Sequence, residues 1–155
     1  MQRKKAQASY AEKKIIGDYC SHIHDHYDVI KGAHGVGCKK GEEYNKQISL
    51  NAGDRQADIV AGDIENGEVI VKEIVEVEMC NGTFDRDQVR ELHDHCKSNQ
   101  VEFTLIIPEE QYDEYKKDIY SCLCMRRRGE AVFINYLTYS TTTFKEMLDF
   151  KLYCS

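Results

Sequence analysis

Apolar residues recur at helical spacing near the start of the chain. Ala8, Ala11, Ile15, Ile16, Tyr19 and Ile23 form one stripe of a helix over residues 7–24, with Ser9 or Gln7 near its start. Glu12 falls on that stripe, four residues from both Ala8 and Ile16. It therefore points towards the body of the protein, where an unpaired carboxylate is costly, although a first-turn acid also gains from the helix dipole. A short strand over residues 27–31, a glycine-rich loop over 32–41 and a second strand over 47–50 follow. Residues 57–80 then read as two β-branched arms around Asn66-Gly67, a strong hairpin signal.

The second arm breaks its own pattern. Alternation puts Val71, Val75, Val77 and Met79 on one face, while Glu76 and Glu78 share the other with Ile70 and Ile74. Two neighbouring like charges repel unless a cation or donor lies between them, so this pair points to a divalent-metal site. Asp58, at the start of the first arm, is a third ligand if the register allows it. A two-residue turn would set Asp58 opposite Val75 and on the wrong face. A three-residue Glu65-Asn66-Gly67 loop, or an equivalent bulge, would set it opposite Ile74 and diagonal to Glu76.

Beyond the hairpin, Thr83 is the expected cap of a helix that runs to about Ser98, burying Val89, Leu92 and Cys96, with Gln88 at the border of the stripe. Residues 101–107 form a compact apolar strand ended by Pro108, the chain's only proline. A helix over 109–124, a last strand over 131–139 and a short helix over 144–150 capped by Thr142 complete the pattern. A strand that follows the hairpin's second arm through a helix belongs parallel beside it, with a right-handed crossover. The expected class is α/β, a mixed β-sheet flanked by helices, in a single domain over residues 1–155.

Charge and composition narrow the function. The net charge of −6 argues against a generic nucleic-acid coat protein but not against a nuclease, whose acidic metal site supplies several negatives. Basic residues still cluster at Arg3-Lys4-Lys5, Lys13-Lys14, Lys39-Lys40 and Arg126-Arg127-Arg128, each most simply solvated surface. No stretch approaches the roughly 18 apolar residues that span a bilayer, so the chain reads as soluble, cytoplasmic and without membrane partners. Seven cysteines at irregular spacing point to reduced thiols. His22, His24 and His26, and His93, His95 and Cys96, raise a transition-metal site, but their spacing supplies no recognisable pair of ligand pairs. Cys122 and Cys124 lack zinc-knuckle or redox spacing and read as buried thiols. Gly32, Gly35 and Gly37 match neither the Walker spacing nor the dinucleotide fingerprint.

With this order of elements, Asp58 in Ala-Asp-Ile-Val, Glu76-Val77-Glu78 on the next arm and Glu12 on the opening helix, the sequence resembles the PD-(D/E)XK nuclease superfamily. This is the restriction-endonuclease-like fold, with an αβββαβ core, that also includes archaeal Holliday-junction resolvases. The resemblance covers residues 9–107 and extends to Gln88, which matches a polar residue of some members. Ala57 stands where Pro is usual, and Glu78 where the family carries Lys. The resemblance implies a metal-dependent nuclease that hydrolyses phosphodiester bonds of nucleic acid, DNA rather than RNA. Asp58 and Glu76, with the Val77 carbonyl, would hold Mg²⁺ or Mn²⁺; Glu78 would bind a water or a second ion, and Glu12 would complete the outer shell. By analogy with nucleases that cut both strands, the implied assembly is a homodimer. The competing expectation is a catalytically inactive nuclease fold kept as a binding or assembly module, favoured by Glu78 in the Lys position, the acidic balance and ten tyrosines.

Overall fold

The structure, a computed structural model, describes residues 9–36, 39–79, 83–123, 134–140 and 144–146. Contacts gather into two compact units, Met1–Val75 and Glu76–Ser155, whose boundary falls inside a strand and not at a linker.

In the first unit, helix α1 spans Tyr10–Ile23 and begins where the Ser9 hydroxyl oxygen accepts the Glu12 N–H at 3.2 Å. Such a cap is worth about 1 kcal/mol. The helix buries Ile15, Ile16, Tyr19, Cys20 and Ile23; of the expected stripe, Ala11 is exposed and Ala8 lies outside the described residues. Strand β1 (Val29–Gly32) pairs antiparallel with β2 (Lys39–Lys40). Residues 47–50 do not make the expected strand. A 3₁₀ turn occupies Glu42–Gln47, and of residues 47–50 only Ile48 is buried, so the alternating set that pins a strand is missing. The polar stretch that follows makes a two-rung hairpin instead, β3 (Asn51–Ala52) with β4 (Arg55–Gln56), turning at Gly53 with φ 64°.

Strands β5 (Ile59–Glu65) and β6 (Glu68–Val77) form the long hairpin, and β5 also pairs antiparallel with β1. Its turn has two residues, not three: Glu65 pairs with Glu68, and Asn66 and Gly67 take φ of 55° and 79°, the left-handed pair that a tight primed turn requires. The register shift comes from a bulge. Ala61 pairs with Glu73 but Gly62 with Val71, which leaves Lys72 as the extra residue. Gly62 permits it, because a Cβ there would lie 2.4 Å from the Ile70 carbonyl oxygen. In this register Ile59 faces Val75 and Val60 faces Ile74, so Asp58 is not opposite Ile74 as expected. It sits in the bend before β5 and donates its N–H to the Val75 carbonyl at 3.0 Å. Along β6, Glu68 to Lys72 are exposed or half-exposed and Glu73 to Val77 are buried.

The second unit starts with the last two residues of β6. Just beyond them Glu78 donates its N–H to the Ile106 carbonyl of β7 (Glu102–Pro108) at 2.9 Å. Helix α2 (Arg86–Asn99) is capped by Asp85, whose Oδ1 accepts the Gln88 N–H at 3.1 Å. Thr83, the expected cap, lies two residues too early, because Phe84 must first turn into the core. Helix α3 (Tyr112–Leu123) follows β7, and β8 (Ile134–Tyr139) runs parallel to β7. The expected helix over 144–150 is replaced at its start by β9 (Phe144–Glu146), antiparallel to β8, with the Phe144 ring 5.2 Å from that of Tyr139. Thr142 and residues 147–150 lie outside the described residues.

The architecture is thus α/β, with antiparallel and parallel strand pairs and helices. Among the described residues, no helix is long and apolar enough to cross a membrane. Cys96 and Cys122 are buried free thiols, whereas Cys20 is disulfide-bonded, which corrects the expectation of uniformly reduced cysteines.

Candidate metal centre

Antiparallel pairing of β1 with β5 brings the end of one beside the start of the other. Gly32 pairs with Ile59, and the next residue, Ala33, donates its N–H to the Asp58 carbonyl at 2.8 Å. The Asp58 backbone is therefore held on two sides, by Ala33 and by Val75. His34 follows immediately with φ 60°, and Gly35 with φ 67°, so the chain reverses through two left-handed residues. For a residue with a Cβ that conformation costs about 1–2 kcal/mol, and strain of this kind persists only where its surroundings over-determine it.

The result is a cluster of Glu12 from α1, His34 from this turn and Asp58 from the bend before β5, each offering a donor atom within 4.8 Å of the others. Asp58 is fully buried and the His34 side chain is only 12% exposed. Nε2 of His34 is buried without a hydrogen-bond partner, and it lies 3.6 Å from Asp58 Oδ1. That separation is too long for a hydrogen bond. It is close to the spacing of two donors sharing one ion, about 3.0–3.4 Å for bonds of about 2.1 Å. Two carboxylates and one imidazole, partly withdrawn from water, fit a divalent cation whose charge offsets theirs. Carboxylate oxygens suit Mg²⁺ or Mn²⁺, and an imidazole shifts the preference towards Mn²⁺ or Zn²⁺.

Of the acids singled out in the sequence, Glu12 and Asp58 are brought together here, with donor atoms within 4.8 Å of one another. Glu76 and Val77 are buried and Glu78 half-buried; all three belong to the second unit. Gln88 is buried in the first turn of α2. His34 is the candidate ligand that sequence reasoning missed. The only signal was a histidine inside a glycine-rich reversal directly after a strand, and its partner becomes visible only once β1 and β5 are known to pair.

The other histidines do not assemble a comparable site. His22, His24 and His26 are exposed at the end of α1 and just beyond it, and among the described residues they join no three-donor group. His93 is buried edge-on against Phe103, and desolvation holds its pKa below the usual 6.5 in spite of Asp94 at 3.2 Å. It behaves as a neutral core side chain. A scan against protein-family models finds no match, and neither the curated proteins nor the solved structures offer one.

Proposed function

We propose that the chain is a divalent-metal-dependent nuclease that hydrolyses phosphodiester bonds of nucleic acid, DNA in preference to RNA, with the metal held by Glu12, His34 and Asp58. The convergence of these three side chains from three separate elements carries the reading. It is supported by α1, the longer strands β1, β5 and β6, α2 and β7 occurring in the αβββαβ order of the nuclease family that the sequence resembles, with the two-residue strands β2, β3 and β4 inserted between β1 and β5. When bound, Mn²⁺ or Mg²⁺ would polarise a phosphate oxygen and lower the pKa of a coordinated water. Asp58 and Glu12 supply the negative charge that retains the cation, and His34 fixes one coordination direction through a ring held in a constrained turn. Glu76, Glu78 and the Val77 carbonyl, in the second unit, are named by the family motif alone. Pairing of two copies to cut both strands is part of the same proposal.

Glu78, an acid where the family has a cation, favours the second reading, a nuclease fold retained for binding. Incubation of the chain with single-stranded, duplex and branched DNA and with RNA, in Mn²⁺, Mg²⁺ or EDTA, separates the two. A nuclease should cleave only with metal, and Asp58→Asn, Glu12→Gln and His34→Ala should each reduce the rate by at least about 100-fold, since each removes a ligand. Glu78→Lys should retain or raise activity if Glu78 merely replaces the lysine, and abolish it if Glu78 holds an essential second ion. Metal uptake without cleavage of any substrate would favour the binding module.

A further inference from the structure

Glu73 is an acid with 2% of its surface exposed, placed on β6 beside the bulge and opposite Ala61, where an apolar residue would ordinarily sit. Its two oxygens are gripped separately. The Tyr19 hydroxyl donates to Oε2 at 2.6 Å, and the Tyr27 hydroxyl donates to Oε1 at 2.7 Å. Both are short bonds of the kind made to an ionised acceptor. The two tyrosines come from different segments: Tyr19 from α1, and Tyr27 from the link between the 3₁₀ turn after α1 and β1.

Those segments are the ones that deliver metal donors. Tyr19 lies seven residues after Glu12, two turns along α1, so the face Glu73 holds is the face that presents Glu12. Tyr27 lies seven residues before His34, at the entrance to the strand whose far end places His34 beside Asp58. A hydrophobic contact at position 73 would fix a distance. Two directional bonds from one carboxylate also fix the rotation of α1 and the start of β1 against β6.

We infer that Glu73 is a positioning residue for the metal centre, setting Glu12 and His34 relative to Asp58 through Tyr19 and Tyr27. The inference rests on the metal-centre reading above. Supporting groups of metal sites change affinity by about tenfold or more when removed, because the ligands lose their preset geometry.

The test is calorimetric titration of the full chain with Mn²⁺, alongside circular dichroism and thermal melting. Tyr19→Phe and Tyr27→Phe each delete one oxygen and keep the ring, so they carry the test even if Glu73→Ala does not fold. Each should weaken Mn²⁺ binding by about tenfold, and Glu73→Gln, which keeps the shape and one acceptor, should lose less than Glu73→Ala. Asp85→Ala, which lowers stability from the second unit, should lower the melting temperature and leave affinity unchanged. Folded Tyr→Phe variants with wild-type Mn²⁺ affinity would overturn the positioning role and leave the metal centre standing. A wild type that takes up no Mn²⁺ would overturn both.

Discussion

Three buried ionisable side chains, Asp58, Glu73 and His93, have three different reasons to be where they are. Asp58 is withdrawn from water beside His34 and Glu12, Glu73 is gripped by two tyrosines, and His93 stays neutral against Phe103. His93 has a consequence for pH. Because burial holds its folded-state pKa below 6.5, the unfolded chain takes up a proton between those two values that the folded chain refuses. Stability therefore falls as pH drops below 6.5, by at most about 1.4 kcal/mol per pH unit, and above 6.5 this group adds no slope. Urea midpoints for wild type and His93→Leu, compared from pH 8 to pH 5, should differ by a constant amount above 6.5 and converge or cross below it; parallel curves would assign the slope elsewhere. At this scale the sequence was partly legible. Glu12 stood out because an acid on an apolar stripe needs a partner. Glu73 carried the same signal, an acid between Val71 and Val75 on the apolar face of its strand, but the acid pair on the opposite face drew the reading, and only the folded tyrosines show what holds it.

Among the elements, α1, the Asn66-Gly67 hairpin, α2, β7 and α3 lie where hydrophobic periodicity places them, since each has enough apolar positions to set its own phase. What failed was short or marginal: residues 47–50 with one buried anchor, and residues 144–146, where a weak amphipathic pattern gives way to a strand paired with β8. Register was legible only as an alternative, because the bulge at Lys72 depends on a backbone approach that Gly62 allows and no side-chain pattern advertises. The α2 cap gives a sharp check. Asp85→Ala should cost about 1 kcal/mol, whereas Thr83→Ala, at an exposed position outside the helix, should cost close to nothing in the same thermal melts. Equal losses would return the cap to Thr83.

For the molecule as a whole, the charge of −6 sets the terms on which a polyanion can approach. Under the proposed function, the two carboxylates of the candidate metal centre would add to the repulsion without a bound cation, so metal should be needed to bind nucleic acid as well as to cut it. Fluorescence anisotropy with labelled DNA at about 0.15 M salt should show no binding in EDTA and clear binding in Ca²⁺, an oxygen-seeking ion that can stand in for Mg²⁺. Equal affinity in both would place the DNA contact away from the cluster. The left-handed backbone at His34 has a further consequence, for the lineage and not for the single molecule. Glycine or asparagine would relax that turn, so the histidine carries a small folding cost that a use for the imidazole, as in the proposed metal centre, would offset. Descendants released from that use should drift at position 34 before they drift in the core, recording the loss of chemistry while the fold is still intact.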